Sequence, residues 1–218
     1  RLRLFNEQFF AAQNAKNRDE LDKAMLLFET LYQKDPENAT VHYELAQLYA
    51  VNDEEEKAIF HAEQAHVLED SNSWFFRLQI AMYQQFAQGE KLEESLKEAI
   101  ISNPDEVDYH FQLAEAYYIN GKPELAIEQL NRLEEKTGVS DKVSNQKKSI
   151  YLEIGDLEGA TNELNKLIRL YPKNMDYRGA LGQIYNANGF EEKAFEQYLF
   201  MLAIDTLDPR PHLDLANY

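Results

Sequence analysis

The stretch from Val107 to Gly138 reads VDYHFQLAEAYYINGKPELAIEQLNRLEEKTG and contains the pattern on which the whole chain is built. Its apolar residues recur at intervals of three or four, which predicts two amphipathic helices joined near Asn120-Gly121. The predicted apolar faces are Leu113, Ala114 and Tyr117 in the first helix, and Ala126, Leu130 and Leu133 in the second. A lone helical hairpin cannot bury both of these faces, so it needs similar neighbours on either side.

The same pattern returns every 34 residues along the chain. Tyrosine occupies the position of Tyr117 in four other repeats, at Tyr49, Tyr83, Tyr151 and Tyr185. Alanine occupies the position of Ala126 in four others, with Leu92 the exception, at Ala24, Ala58, Ala160 and Ala194. We therefore divide the chain into six repeats, residues 5–38, 39–72, 73–106, 107–140, 141–174 and 175–208, and expect 209–218 to begin a further helix. A sustained period of this kind is typical of a solenoid.

The loop between the paired helices carries a turn-forming residue at a fixed position. This residue is Asp53, Gly121, Gly155 or Gly189 in four of the repeats. Glycine there suits a left-handed residue that ends the first helix, and aspartate suits an N-cap of the second.

The composition of the 218-residue chain is that of a folded and strongly acidic protein. Hydrophobic residues make up 44% of the chain, which is enough for a core, and the formal net charge is −17. Such a charge repels phosphate backbones and anionic lipids, so we expect no nucleic-acid partner. The absence of cysteine excludes disulfides and thiolate metal sites. No apolar run approaches the roughly 18 residues of a membrane helix, so we expect no membrane insertion.

Repeat two shows the signature most clearly, with Leu45, Ala46 and Tyr49 in its first helix and Ala58 in its second. This 34-residue helix–turn–helix, which ends near a proline in alternate repeats, resembles the tetratricopeptide repeat family. The resemblance covers nearly the whole chain. It implies an all-α, right-handed superhelical solenoid in which the first helix of each repeat lines the concave side. The chain is also similar in style to bacterial tetratricopeptide proteins, some of them envelope-associated, which leaves cytoplasm and periplasm both open.

Repeat five departs most from this pattern. Lys147 and Lys148 occupy positions where leucine and a small residue are expected, and with Lys142 they form the one basic cluster of an acidic chain. We interpret their stems as covering apolar surface in a loosely packed repeat. Docking of an acidic partner at this cluster is the alternative. The first interpretation predicts that the junction of repeats four and five is the least well packed.

The sequence contains no recognisable constellation of catalytic or metal-binding residues. The segment HAEQAH places His61 and His66 five residues apart, on different helical faces, and it is not the zinc motif HExxH. His42 and His110 lie at equivalent positions two repeats apart, which favours a role in the repeat itself. No phosphate-binding glycine loop and no GxSxG motif is present. We therefore predict that the chain is not an enzyme and binds neither cofactor nor metal.

The resemblance assigns the binding surface to the first helices. Positions two, five, nine and twelve of each repeat lie opposite the packed stripe and would line the concave groove. Several of them carry aromatic, arginine or amide side chains, which are the types that contribute most at interfaces or pair with a peptide backbone. The candidate partner-binding residues are Phe9, Tyr43, Gln47, Trp74, Arg77, Gln84, Phe111, Glu115 and Tyr118.

Packing against a neighbouring helix is the other interpretation of these aromatic residues. Both interpretations stay open for Phe9 and Phe111, whereas we favour the groove for Tyr43, Trp74 and Arg77. The five repeat tyrosines are predicted to be core residues. The lysine and asparagine clamp with which some tetratricopeptide proteins hold the C-terminal carboxylate of chaperone tails is not matched by the groove positions.

We predict a non-catalytic scaffold for protein–protein interaction that binds a peptide segment or a partner protein in the concave groove. One alternative is the regulatory or substrate-recruiting repeat array of a larger enzyme. Another is self-association through uncapped ends, which a polar replacement of Leu213 or Leu215 would abolish. Because the chain stops inside the pattern of a seventh repeat, we expect the natural protein to continue with further repeats.

Overall fold

The computed structural model describes residues 2–205 together with Pro209 and Pro211. Over these residues the chain forms twelve α-helices and no β-strand. Apart from the two prolines, the expected further helix at 209–218, with Leu213 and Leu215, lies outside the described residues. The helices are α1 (Leu2–Asn17), α2 (Leu21–Lys34), α3 (Ala39–Val51), α4 (Glu55–Leu68), α5 (Ser73–Gln85), α6 (Gly89–Ser102), α7 (Val107–Ile119), α8 (Pro123–Thr137), α9 (Asp141–Glu153), α10 (Leu157–Leu170), α11 (Met175–Ala187) and α12 (Glu191–Ile204).

The helices begin at regular intervals along the chain. The odd-numbered helices from α3 onward start at residues 39, 73, 107, 141 and 175, and the even-numbered ones at 21, 55, 89, 123, 157 and 191. A side-chain oxygen caps four of the odd-numbered helices by accepting a bond from a backbone N–H of the first turn; the caps are Asn38, Asn72, Ser140 and Asn174. Each cap satisfies a donor that the helix start leaves unpaired, and contributes about 1 kcal/mol.

Every hairpin turn contains one residue with a left-handed backbone. Their φ angles lie between 52° and 78°, and the residues are Asp19, Asp53, Ala87, Gly121, Gly155 and Gly189. Glycine adopts this conformation freely and aspartate tolerates it, but most other residues are strained by it. The assignment of Asp53 as an N-cap is therefore wrong, because Asp53 takes the left-handed position itself and Glu54 precedes α4.

We expect Ala87→Gly to stabilise the protein by about 0.5–1 kcal/mol. Ala87 has φ of 52°, and relief of left-handed strain outweighs the greater entropy of glycine in the unfolded chain. Urea denaturation followed by circular dichroism measures the change. Ala81→Gly, at an exposed site inside α5, is the control and is expected to destabilise by about 1 kcal/mol. An Ala87→Gly protein no more stable than the parent would contradict the strain.

The chain forms two compact units, Arg1–Glu98 and Ala99–Tyr218, hereafter the N-terminal and C-terminal units. In the N-terminal unit α1 to α5 pack one against the next, and in the C-terminal unit α7 to α12 do the same. Small residues allow the two helices of a hairpin to approach closely. Ala12, Ala46 and Ala114 are completely buried, and a Cβ on Gly182 would lie 2.6 Å from a ring carbon of Tyr198.

A polar pair recurs inside the hairpins and explains several histidines. The fourth residue of the first helix bonds to the residue 19 positions later in the second. The observed pairs are His42–His61 (2.8 Å), His110–Gln129 (2.7 Å) and Arg178–Gln197 (3.2 Å). In both histidine-led pairs, Nε2 of the first histidine faces the carbonyl oxygen of the proline six residues earlier, at 2.9 and 3.3 Å. His42 and His110 thus have a partner for both ring nitrogens within their own unit.

The repeat tyrosines are fully buried only in the N-terminal unit. Tyr49 and Tyr83 are core residues as predicted, and their hydroxyl groups donate to Glu29 (2.6 Å) and Glu63 (2.8 Å). Burial raises the pKa of the Tyr83 hydroxyl to about 12. The other three pack at the edges of hydrophobic clusters and are partly exposed, so the prediction is wrong in degree for Tyr117, Tyr151 and Tyr185.

Candidate functional site

One side of α5 carries three of the candidate residues, and all three reach solvent. Trp74 is 67% exposed, and Arg77 and Gln84 also reach the surface. Spacings of three and seven residues place them along one face of the helix. The guanidinium carbon of Arg77 lies 5.9 Å from the centroid of the Trp74 ring, within range of a cation–π interaction. Among the described residues, no carboxylate forms an ion pair with Arg77. An exposed aromatic ring and an unpaired cation are thus presented together.

Two candidate residues of α3 are half-buried because they pack within the N-terminal unit. The ring of Tyr43 contacts that of Phe75 in α5, with centroids 5.5 Å apart. The amide oxygen of Gln47 accepts a bond of 3.1 Å from Nζ of Lys16, which also bonds Glu44 at 2.6 Å. This network joins α1 to α3. Tyr43 and Gln47 therefore offer only part of their surface to a partner.

Phe9 packs inside its own hairpin. Its ring meets the completely buried ring of Phe28 edge-on, with centroids 5.6 Å apart. The adjacent Phe10 is the ring of α1 that points to solvent, and it is 66% exposed. Phe9 is half-buried and presents little of its ring to a partner.

The three candidate residues of α7 differ from one another in exposure. Phe111 is only 8% exposed, and Nζ of Lys142 lies 3.9 Å from its ring centroid. Phe111 belongs to a hydrophobic core cluster of the C-terminal unit, and Tyr118 is half-buried against that cluster. Glu115 is exposed. Of these three, only Glu115 offers its side chain freely. The sequence pattern did not show this difference, because Lys142 comes from the next hairpin.

Lys147 is completely buried, so the three lysines of repeat five do not form a basic surface cluster. Its Nζ lies 3.0 Å from an Asn131 oxygen, 2.8 Å from Glu134 and 3.0 Å from Glu163. Lys166 bonds the same two carboxylates, at 2.8 and 2.9 Å. Both interpretations made from the sequence are wrong for Lys147, because its charge is satisfied by carboxylates of its own unit.

The charges of this buried cluster support one another. Burial alone would raise the pKa of Glu134, but the hydrogen bonds from Lys147 and Lys166 hold it below its usual value. Burial opposes the charge of Lys166 too, yet its bonds to Glu134 and Glu163 raise its pKa. The only sign of this buried ion cluster in the sequence was a lysine, Lys147, at a position where leucine is expected. Its partners lie 13 and 16 residues away on two other helices.

The described residues contain neither a group of side chains suited to a metal ion nor a membrane-spanning helix. Within that part of the chain, no three histidine, aspartate or glutamate side chains gather as they would around a metal ion. None of its helices is both long enough and apolar enough to cross a bilayer. The structural features that stand out are therefore surfaces, of which the face of α5 is the most accessible candidate.

Helical hairpins repeated every 34 residues define the class of this protein as an all-α solenoid of helical repeats. The profile of the tetratricopeptide repeat family matches residues 11–73 and 93–139, which make up half of the chain. The chain belongs to the tetratricopeptide repeat family. Repeats of this family are interaction modules that are generally non-catalytic, and the chain is in this broad sense a protein-interaction scaffold.

Several solved structures share the fold at low sequence identity. A chain in the structure of Naa15/Naa10 bound to HypK-THB has a TM-score of 0.70 and 18% identity, over 98% of this chain and 33% of that chain. The C-terminal part of a TPR repeat-containing protein from Cytophaga hutchinsonii has a TM-score of 0.63 and 16% identity, over 90% and 78%. YrrB, a TPR protein with an unusual peptide-binding site, has a TM-score of 0.50 and 18% identity, over 88% and 98%.

The chain spans about a third of the length of the first of these three proteins. A comparison with curated proteins finds no match. At identities below a fifth, these similarities establish the fold alone, and the function must be argued from the surface residues of this chain.

Proposed function

We propose that the chain is a scaffold that binds an extended or helical segment of a partner protein along the first-helix face of its N-terminal unit. The observation that carries this proposal is the pair Trp74 and Arg77, side by side at the surface of α5. A solvated helix face has no structural need for tryptophan. Tryptophan and arginine are among the residues most enriched where a few side chains dominate binding energy once a partner covers them.

The neighbouring side chains suit a peptide. Gln84 lies on the same face of α5 and is exposed, and Gln47 lies on α3. Amide groups donate and accept hydrogen bonds, so they can pair with a peptide backbone. Tyr43, which contacts α5 through Phe75, would extend the apolar part of the surface. Peptide binding by YrrB, which has the same fold, is consistent with this use of the repeats.

In the C-terminal unit, the exposed carboxylate of Glu115 and the half-buried ring of Tyr118 are the candidate contacts for a partner of that unit. Phe9 and Phe111 contribute to packing, which leaves them a supporting role behind the exposed residues.

The test uses the fact that Trp74 is the only tryptophan of the chain. Proteins captured from a lysate of the source organism are purified and titrated into the chain while its tryptophan emission is recorded. We expect a blue shift as Trp74 leaves water. We also expect the affinity to fall by about tenfold or more in Trp74→Ala/Arg77→Ala, followed by a method that does not use fluorescence.

The matched control is Ile119→Ala/Arg169→Ala, which removes an equally exposed apolar residue and an exposed cation from the C-terminal unit. Circular dichroism must show that both variants remain folded. A partner that binds all three proteins equally and leaves the tryptophan emission unchanged would contradict the proposal.

A further inference from the structure

The outward face of the second helices carries exposed apolar residues in the N-terminal unit. The sixth and thirteenth residues of a helix lie seven positions apart and share one side of it. The sixth residues of α2 and α4 are Leu26 and Phe60, and the thirteenth residue of α4 is Val67. Their exposed fractions are 64%, 45% and 71%. We call these three residues the outer apolar face.

The repeat architecture does not require apolar residues at these positions. The thirteenth residue of α2 is Gln33, which is exposed and polar. The equivalent residues of α8 and α10 are also exposed, and they are all polar or charged: Glu128, Glu135, Asn162 and Arg169. In α6 the sixth residue is Glu94 and the thirteenth is the exposed Ile101, and in α12 they are Glu196 and Ala203. The same helical positions thus carry polar side chains in some hairpins and apolar ones in others. Phe60 also packs against the rings of His42 and His61, with centroids 6.1 and 5.1 Å away, whereas Leu26 and Val67 are mostly exposed. Leu26 and Val67 are therefore the residues that most clearly indicate an interaction surface.

Unpaired carboxylates flank the outer apolar face. Asp22 lies one turn before Leu26, and Glu56 lies one turn before Phe60, on the same sides of their helices. Both are exposed, and among the described residues neither forms an ion pair. The lysines nearest to them in sequence, Lys23 and Lys57, are instead paired with Glu20 and Glu54. The surface therefore combines apolar side chains with uncompensated negative charge.

We propose that the outer apolar face is a second docking surface, and that its occupant is a cationic amphipathic segment of a partner protein. The apolar side of that segment would cover Leu26, Phe60 and Val67, and its lysine or arginine side chains would meet Asp22 and Glu56. Charge complementarity selects this occupant. A second copy of the chain would bring a further net charge of −17 to an acidic surface.

The test uses synthetic peptides of about 18 residues as probes. The first probe places leucine along one helical face and lysine on the other, the second has the same composition in scrambled order, and the third replaces each lysine with glutamate. Isothermal titration calorimetry is expected to show binding of the first peptide to the intact chain. The scrambled and glutamate peptides should bind about tenfold more weakly or not at all.

Leu26→Ser/Val67→Ser is the test variant, because both side chains are mostly exposed and the fold does not depend on them. It should bind the amphipathic peptide about tenfold more weakly. Ile119→Ser, which removes an equally exposed apolar residue from the C-terminal unit, should bind it like the parent. The emission of Trp74 should stay unchanged throughout, since the probe binds a different face.

Three results would overturn this proposal. Equal binding of the scrambled peptide would show that only non-specific charge attraction holds the peptide on the chain. Binding that survives in Leu26→Ser/Val67→Ser, or that shifts the emission of Trp74, would place the peptide elsewhere. A concentration-dependent mass of the parent, measured by sedimentation and lost in Leu26→Ser/Val67→Ser, would make a second copy of the chain the occupant.

Discussion

Lys147→Leu is expected to destabilise the protein by about 3 kcal/mol, although leucine is the residue that other repeats carry at this position. The substitution removes a completely buried cation and leaves the carboxylates of Glu134 and Glu163 to share Lys166. One negative charge then stays uncompensated in a site that water reaches poorly, and this desolvation cost dominates the gain from a larger apolar side chain. Urea denaturation followed by circular dichroism measures the loss.

The same reasoning predicts that a second substitution restores most of this stability. Lys147→Leu/Glu163→Gln removes one charge of each sign, so Lys166 and Glu134 remain as a balanced pair. Glutamine is also the residue that α8 and α12 carry at the position of Glu163, where Gln129 and Gln197 pair with the first helix. We therefore expect the double variant to lie within about 1 kcal/mol of the parent.

Lys148→Leu is the control for Lys147→Leu, because Lys148 is only half-buried and bonds a neutral oxygen of Asn145. It is expected to change the free energy of unfolding by less than about 0.5 kcal/mol. Equal effects of the two leucine substitutions would show that Lys147 is not held in a buried ion cluster.

The stability of the N-terminal unit is expected to fall as the pH drops from 6.5 to about 4, because of the pair formed by His42 and His61. Nε2 of His42 faces the carbonyl oxygen of Pro36 and must carry the proton, so Nδ1 of His42 accepts a bond from Nδ1–H of His61. Burial lowers the pKa of both rings, and that of His61 to about 4. The folded protein therefore keeps the pair neutral.

The direction of this pH dependence follows from the number of protons that the folded and unfolded states bind. Between pH 6.5 and about 4, the unfolded chain binds a proton at His61 that the folded chain does not, so stability rises with pH in this range. The contribution is complete above pH 6.5, and about 3 kcal/mol of it is lost on reaching pH 4.

His61→Gln isolates this contribution, because the hairpin of α7 and α8 already uses Gln129 to bond His110 at 2.7 Å. The variant should retain a bond to His42 without the second titrating ring. Denaturation at pH 7 and pH 4 is expected to show a loss smaller by about 2 kcal/mol than that of the parent. Other groups titrate alike in both proteins and cancel in the difference. Identical pH dependence in the two proteins would contradict a neutral histidine pair.

The sequence pattern alone was sufficient to predict that the chain is a solenoid of helical hairpins. Amphipathic spacing and turn residues act within a few positions of one another, so their effect can be read along the chain. The 34-residue period then supplied the neighbours that bury each apolar face. The exposure of part of the candidate site could also be predicted from the sequence. Trp74, Arg77 and Gln84 lie on a solvent-facing side of α5, where the 100° rotation per residue places them.

Contacts between side chains of different helices could not be predicted from this local sequence pattern. Phe111 shares the helical position of Arg77, yet it is buried and covered by Lys142 from another hairpin, whereas Arg77 reaches solvent. The sequence predicted a lysine whose stem covers apolar surface in a loosely packed repeat, whereas in the structure Glu134 and Glu163 surround the charge of Lys147. A residue's own position predicts which face of its helix it occupies. Only the packing of the helices in three dimensions determines which side chains that face meets, and hence whether an aromatic ring is exposed or packed and whether a charge is free or paired.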